Sequence, residues 1–316
     1  MTRIFFASDL HGSDMCFRKF VNTGKIYKAD VLICGGDLTG KFVVPIVKQS
    51  DGTYSLEYFG ERKILKTASE SESVKKTLED IGSYPYQIEA RAQLEELNAN
   101  ARAVEQLYTL LAKQRLERWI QFANDYLRNS GIKCFMNPGN DDSLEIDKVF
   151  NDSELVLNPE GKVVSLDKHH EMISTGYSNI TPWKASRDVS EEELARKIEV
   201  MASQVKDMQS CIFNFHCPPY NSGLDTTPKI DEQLRPVIKL GAPEMTMAGS
   251  TAIRSAIEKY QPLLGLHGHI HESKGFVRLG RTFCINPGSE YGEKILRGAI
   301  LNLDHEGLKS HMFVSG

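Results

Sequence analysis

Five short apolar runs, each breaking off at a polar turn that carries an Asp, Asn or His, constrain the fold of this chain more than any other feature. Ile4 to Ala7 ends at Ser8-Asp9, Val31 to Cys34 at Gly35-Gly36-Asp37, and Ile132 to Met136 at Pro138-Gly139-Asn140. Ile212 to Phe215 ends at His216, and Leu263 to Leu266 at His267-Gly268-His269. Unbroken apolar runs bounded by turn residues read as buried strands, and helical stretches lie between them. That rhythm predicts an α/β or layered α+β domain. Side chains just past the ends of neighbouring strands can converge on one rim of a sheet, so five such turns can build a single site from distant residues. Gly12, Gly35, Gly36, Gly139 and Gly268 beside these residues fit positive φ or close backbone approach, and equally ordinary turns.

With 316 residues the chain can bury a substantial core without disulfides or structural metals. A formal net charge of -4 argues against a general nucleic-acid binder, which needs clustered Lys and Arg on one face. Cys16, Cys34, Cys134, Cys211, Cys217 and Cys284 lie far apart without a C-x-x-C pair, as reduced packing residues in a cytosol would. The first residues run straight into Asp9 as a buried strand, leaving no room for a signal peptide, and no apolar run approaches the ~20 residues of a membrane span. The expectation is a soluble cytoplasmic protein without membrane partners. No linker divides the sequence, so residues 1–316 read as one domain.

Residues 41–110 interrupt the rhythm and read as an insertion. Phe42 to Val47 and Tyr54 to Phe59 flank a Ser-Asp-Gly turn, predicting a hairpin. Ser69 with Glu72 offers a capping box for a helix through Ile81. Leu94, Leu97, Ala101, Val104, Tyr108 and Leu111 recur at helical spacing in a stretch from about Gln87 to Arg128, with a break or bend at Asn98 to Asn100. Such a stripe packs on the core or on a partner, so the insertion is expected to cap the site or join two copies in a homo-oligomer. Further strands are expected within 166–179 and 276–303, and a helix opens at Ser190 with Glu193 and runs through about Val205. Residues 222–250 read as a long loop with helical turns near the site mouth.

Asp and His on alternate residues at a strand end can point into one cavity if the turn twists. Carboxylate plus imidazole suits Mn, Fe or Zn better than Ca. Asp9-Leu10-His11, Gly36-Asp37, Gly139-Asn140-Asp141-Asp142, His216 and Gly268-His269-Ile270-His271 are each a weak signal and in this order a strong one. Together they resemble the signature of the calcineurin-like metallophosphoesterase superfamily, and Asn286-Pro287-Gly288-Ser289 looks like its closing turn. Within it the chain looks closest to predicted phosphoesterases related to the Icc cyclic-nucleotide enzymes.

The resemblance implies a four-layer αββα sandwich with two mixed sheets. It implies one ion held by Asp9, His11, Asp37 and His271, and a second by Asp37, Asn140, His216 and His269, with Asp37 bridging and Asn140, Asp141 and Asp37 at the reacting phosphate. Two divalent or transition-metal ions, Mn being the natural choice in vitro, would activate a bridging hydroxide against a small phosphoester, nucleotides among the candidates. Where the family usually has His after Asn, this chain has Asp141, so the usual proton donor to the leaving oxygen is missing. An exposed, ionised Asp141 about 5 Å from the phosphate would disfavour it by ~3 kcal/mol per unit charge at an effective dielectric near 20, twice that for a monoester dianion. The expectation is a phosphodiesterase, or an enzyme for esters with good leaving groups. The alternatives are a phosphomonoesterase or nucleotidase on the same site, and a non-catalytic scaffold of this fold. His267 is expected to pack behind the site, and His169, His170, His305 and His311 to lie on the surface.

Overall fold

The computed structural model describes residues 1–316. Two six-stranded sheets lie face to face. The first has the order Gly307–Ser315, Arg297–Asp304, Thr2–Ala7, Val31–Cys34, Lys133–Met136, Val156–Leu157. Its four members from Thr2–Ala7 onward run parallel, and the two last strands of the chain add an antiparallel edge. The second has the order Gly275–Leu279, Thr282–Asn286, Leu264–Leu266, Ile212–Phe215, Glu171–Thr175, Val163–Ser165, parallel in the middle and antiparallel at both edges.

Strand periodicity explains the layering. Ile4, Phe6, Val31, Ile33 and Phe135 point inward and meet Met172, Ile212, Leu264, Leu266 and Ile285 from the opposite sheet. Their alternates Phe5, Ala7, Leu32, Cys34, Cys134 and Met136 point outward under the helices Asp14–Ile26 and Ala101–Leu127. Ile173, Phe213, Phe215 and Cys284 do the same under Glu191–Ala202 and Thr251–Tyr260. Strands buried on both faces read as unbroken apolar runs, which is how the sequence presented them. The four-layer αββα sandwich expected from the motifs is therefore the fold. All six cysteines are buried and unpaired, and no helix is long and apolar enough to cross a membrane.

Within 41–110 the expected hairpin forms as Val43–Lys48 and Tyr54–Tyr58, but in a four-stranded sheet of order Glu61–Leu65, Tyr54–Tyr58, Val43–Lys48, Tyr84–Ile88. The helix Ala68–Asp80 closes a small core of Val44, Ile46, Leu56, Leu65 and Leu78. Its cap is Thr67, two residues before the predicted Ser69: the Thr67 hydroxyl accepts from Glu70 N at 3.1 Å, and the Glu70 carboxylate accepts from Lys66 N at 2.6 Å. The long helical stretch is two helices, Arg91–Asn98 and Ala101–Leu127, parted where expected, with Asn100 capping the second. The apolar stripe is half-buried: Leu94, Leu97, Tyr108 and Leu111 are partly covered, Arg91–Asn98 has no fully buried residue, and full burial on the long helix begins at Ala112.

Two further expectations are corrected. Residues 222–250 form short antiparallel ribbons, Thr226–Pro228 with Met245–Met247 and Ile238–Lys239 with Ala242–Pro243, without helical turns. Three prolines in this stretch oppose helix. His170 is buried, its ring 2.8 Å from the Asp167 carboxylate three residues back. The helix opened by Ser190 forms as expected, Glu191–Ala202, with the Ser190 hydroxyl accepting from Glu193 N.

Candidate metal centre

The five donor-bearing turns gather on one crest, but from two sheets: Asp9, His11, Asp37 and Asn140 follow strands of the first sheet, and His216, His269 and His271 follow strands of the second. The single-sheet rim of the sequence reading is corrected accordingly. Backbone pairing continues past the strand ends, with Asp9 N donating to Gly36 O at 2.9 Å and His11 N to Asp37 O at 2.8 Å. Asp9, His11, Asp37 and His269 all have left-handed φ, at 58°, 42°, 50° and 66°. Side-chain-bearing residues rarely adopt this region, and holding each there costs of order 1–3 kcal/mol. This is the twist that lets Asp9 and His11 point into one cavity. Glycine is required where backbone and donors crowd: a Cβ on Gly36 would stand 2.1 Å from His216 Nδ1, and one on Gly139 2.1 Å from Asp37 Oδ1.

Three groups of donors each lie with their ligand atoms within 4.8 Å of one another: Asp9, His11 and His271; Asp37, His216 and His269; and His11, Asp37 and Asp141. The first two match the two halves of the ligand set that the motifs implied. Donors about 2.1 Å from a common ion stand roughly 3.0 Å apart at right angles and 3.4 Å apart at tetrahedral angles. His11 Nε2 and His271 Nε2 are 3.0 Å apart, His271 Nε2 and Asp9 Oδ1 3.4 Å, and His216 Nε2 and Asp37 Oδ2 3.4 Å. Asn140 lies between Gly139 and Asp141, whose amide donates to Asp37 Oδ1 at 3.1 Å. Its Nδ2 points toward Asp141 and Asp188 at 3.4 Å each, leaving its buried Oδ1 without a partner.

Electrostatics make the same demand. Asp9 and Asp37 are 1% and 3% exposed, and the only basic side chains within 4 Å of either are histidine rings. Buried carboxylates need compensating positive charge. Burial alone would lower His216, but the carboxylates of Asp37 and Asp9 outweigh it and raise it to about 9. Asp37 is held well below the usual carboxylate range, burial being overcome by His216 and His11. Burial brings His269 down to about 4, leaving the ring neutral with one nitrogen lone pair free to ligate. Orphaned Asn140 Oδ1, paired carboxylates and converging imidazoles fit two divalent cations.

The surrounding residues fix these donors. The buried Asp142 carboxylate accepts from Leu38 N, Thr39 N and Gly139 N, each at 2.8 Å, tying the Asp37 turn to the Asn140 turn. Ser289 Oγ donates to Asp9 O at 2.7 Å, and Asn286 Nδ2 to Ile270 O at 2.9 Å. His267 packs behind the site as expected, its Nδ1 2.8 Å from Phe215 O. Burial pushes the Cys217 thiol up to about 12, which removes it as a nucleophile.

Asp141 departs from expectation. It is partly buried, and Lys41 Nζ lies 2.8 Å from its Oδ2. Burial and the nearby Asp37 carboxylate push its carboxyl up, with Lys41 opposing. The same pairing, outweighing burial, holds the Lys41 ammonium well above the usual lysine range. Sequence reasoning missed Lys41, whose only signal was its place four residues after Asp37. It also missed Tyr291, whose ring centroid is 4.7 Å from that of His11 and 5.9 Å from that of His271.

The four-layer sandwich with its crest of donor turns is shared with solved structures of low sequence identity. The chain superposes on TT1561 of Thermus thermophilus with a TM-score of 0.54 and 14% identity, covering 100% of this chain and 98% of that one. A second solved chain gives a TM-score of 0.57 at 16% identity over 99% and 98%. No family model matches. The uncharacterized protein MJ1162 of Methanocaldococcus jannaschii is 29% identical over 152 residues, 48% of this chain and 61% of that protein. The match thus spans less than two thirds of that relative's length.

Proposed function

We propose that this protein is a metal-dependent phosphoesterase that cleaves phosphodiesters, or phosphate esters with good leaving groups. The observation that carries the reading is the pair of donor trios, Asp9, His11, His271 and Asp37, His216, His269, on one crest with Asn140 Oδ1 unpartnered among them. Asp9, His11, Asp37 and His271 would hold one ion and Asp37, Asn140, His216 and His269 the other. Ions bound there supply Lewis-acid charge for phosphoryl oxygens and acidify water. The strained turns and the Asp142 clamp hold the donors in place beforehand, so little reorganisation remains when substrate arrives.

The Lys41–Asp141 pair revises the substrate argument. An unpartnered Asp141 would repel phosphate; paired, it presents almost no net charge, and repulsion no longer separates diesters from monoesters. What remains is the absence of a proton donor. A strongly basic ammonium and a carboxylate cannot give the leaving oxygen a proton as an imidazolium can. Turnover should therefore depend steeply on the leaving group. The site also lacks the extra positive charge with which a His at position 141 would favour a monoester dianion. Residues 41–110 serve as a cap on one continuous domain.

The test is purified protein with Mn2+ on matched aryl monoesters and diesters. Faster diester cleavage, falling steeply as leaving-group pKa rises, supports the reading. Absence of turnover together with absence of bound metal leaves the scaffold alternative instead.

A further inference from the structure

Beside the metal centre lies a cavity of about 220 Å³ lined by Lys41, Phe42, Tyr58, Phe59, Ile81 and Tyr291 among others. Two of these residues belong to both places. Lys41 holds Asp141, and the Tyr291 ring packs on His11 and His271. The cavity therefore adjoins the donor cluster, and its far wall is supplied entirely by the insertion.

That wall is aromatic and exposed. Phe42 and Phe59 are 48% and 77% accessible, with ring centroids 5.7 Å apart in an edge-to-face arrangement. Tyr58 stands 4.4 Å from Phe59, and Tyr58 Oη shares a hydrogen bond of 3.2 Å with Ser83 Oγ. Phe59 is also badly placed for stability. It takes the first position of the two-residue turn between Tyr54–Tyr58 and Glu61–Leu65, where Tyr58 pairs with Glu61. Its φ is 48° and that of Gly60 is 79°, a turn in which both residues must be left-handed and for which Asn-Gly is the favoured pair. A phenylalanine there accepts backbone strain and gains almost no burial. Strain without a packing return points to use elsewhere.

We infer that this cavity binds a flat aromatic ring carried on the phosphoester, stacked against Phe42, Phe59 and Tyr291 with Lys41 at the phosphate end. The inference rests on the phosphoesterase reading and names the substrate class of that same site. Three aromatic side chains around one slot favour a planar π-system over an alkyl chain or a sugar. The volume is below the roughly 300–1,000 Å³ that encloses a drug-sized ligand, so it suits one ring system and not an oligonucleotide. Glu293, also in the lining, offers a carboxylate to the polar edge of a heterocycle.

The test uses the full chain in Mn2+ and two phosphonates whose P–C bond resists hydrolysis, benzylphosphonate and propylphosphonate, with affinities read by calorimetry. The wild-type protein is expected to bind the benzyl compound at least tenfold tighter, about 1.4 kcal/mol. Phe59→Asn is expected to reduce that ratio below threefold and to raise the melting temperature, because Asn relieves the turn. Phe42→Leu, which keeps an apolar side chain, is expected to reduce the ratio without unfolding the protein. Equal affinities in the wild type, while aryl phosphodiesters are still cleaved, overturn the ring site and leave the phosphoesterase reading intact. An unchanged ratio in both variants overturns the assignment to these residues. Failure to bind either phosphonate or to cleave any ester overturns both.

Discussion

Lys41 Nζ lies 2.8 Å from Asp141 Oδ2, so the residue standing where the resembled motif usually has a histidine is half of an ion pair. Lys41 comes from the start of the insertion and Asp141 from the turn that follows the strand Lys133–Met136, which makes the insertion and the donor crest electrostatically dependent on each other. Lys41→Ala is expected to lower kcat/KM at least tenfold, because an unpaired Asp141 then repels the phosphate by ~3 kcal/mol per unit charge at 5 Å before solvent screening, which reduces it at this partly open site. The Lys41→Ala/Asp141→Ala double variant should recover part of that loss. Steady-state kinetics of the wild type, Lys41→Ala, Asp141→Ala and the double variant form the cycle that checks it.

Asp141→His should restore a proton donor. General acid catalysis contributes about 10²–10⁴-fold where the leaving group is poor. The expected result is a gain of tenfold or more on alkyl phosphate monoesters with little change on aryl diesters, read as a flatter dependence of log kcat on leaving-group pKa.

Asp37→Asn and His216→Ala remove donors from the centre and should each reduce bound metal below two ions per chain in elemental analysis, with turnover falling in parallel. Ligand binding to the folded state alone also raises stability, by about 4.1 kcal/mol at a thousandfold excess over Kd. The wild-type melting temperature should therefore climb with free Mn2+, and that of Asp37→Asn should respond much less.

Gly36→Ala is predicted to be nearly as damaging as losing a ligand. The added methyl would stand 2.1 Å from His216 Nδ1 at a φ of 148°, so the imidazole or the turn must move. Loss of metal with retained circular dichroism at 222 nm is the expected signature; normal metal content would refute it.

Asp167 supplies a pH dependence away from the metals. Burial pushes its carboxyl up, but hydrogen bonds from Thr2, from the His169 and His170 amides and from the His170 ring outweigh this and hold it well below the usual range. A depressed folded-state value contributes stability that is fully present above the unfolded carboxylate pKa of about 3.9 and is lost as pH falls through the folded value. Asp167→Asn should thus be less stable than the wild type in urea at pH 7, and the gap should narrow below pH 4.

The donor turns were legible because each follows a strand buried on both faces, and both signals are local in sequence. Their division between two sheets was not, since identical apolar runs pair within either sheet and only tertiary packing of Ile4 or Phe6 against Ile212 and Leu264 separates them. The hairpin in the insertion was announced by Ser50-Asp51-Gly52. Its companions were hidden: Glu61–Leu65 is an edge strand with four exposed residues, and Tyr84–Ile88 contains Pro85. Proline argues against a strand in general but is tolerated at an edge, which is where Tyr84–Ile88 lies. Lys41 escaped notice because its partner is a hundred residues away. His170 escaped because three-residue spacing to Asp167 reads as surface until Thr2 closes over it.

The strand Thr2–Ala7 is hydrogen-bonded to Val31–Cys34 on one side and to Arg297–Asp304 on the other. Ribosomes add roughly 5–20 residues per second, so tens of seconds separate the emergence of Asp9 and His11 from that of His269 and His271. During that interval the N-terminal half holds carboxylates and imidazoles with only part of their coordination partners and one unprotected strand edge. The two donor trios can therefore be completed only after residues 269–271 have left the ribosome.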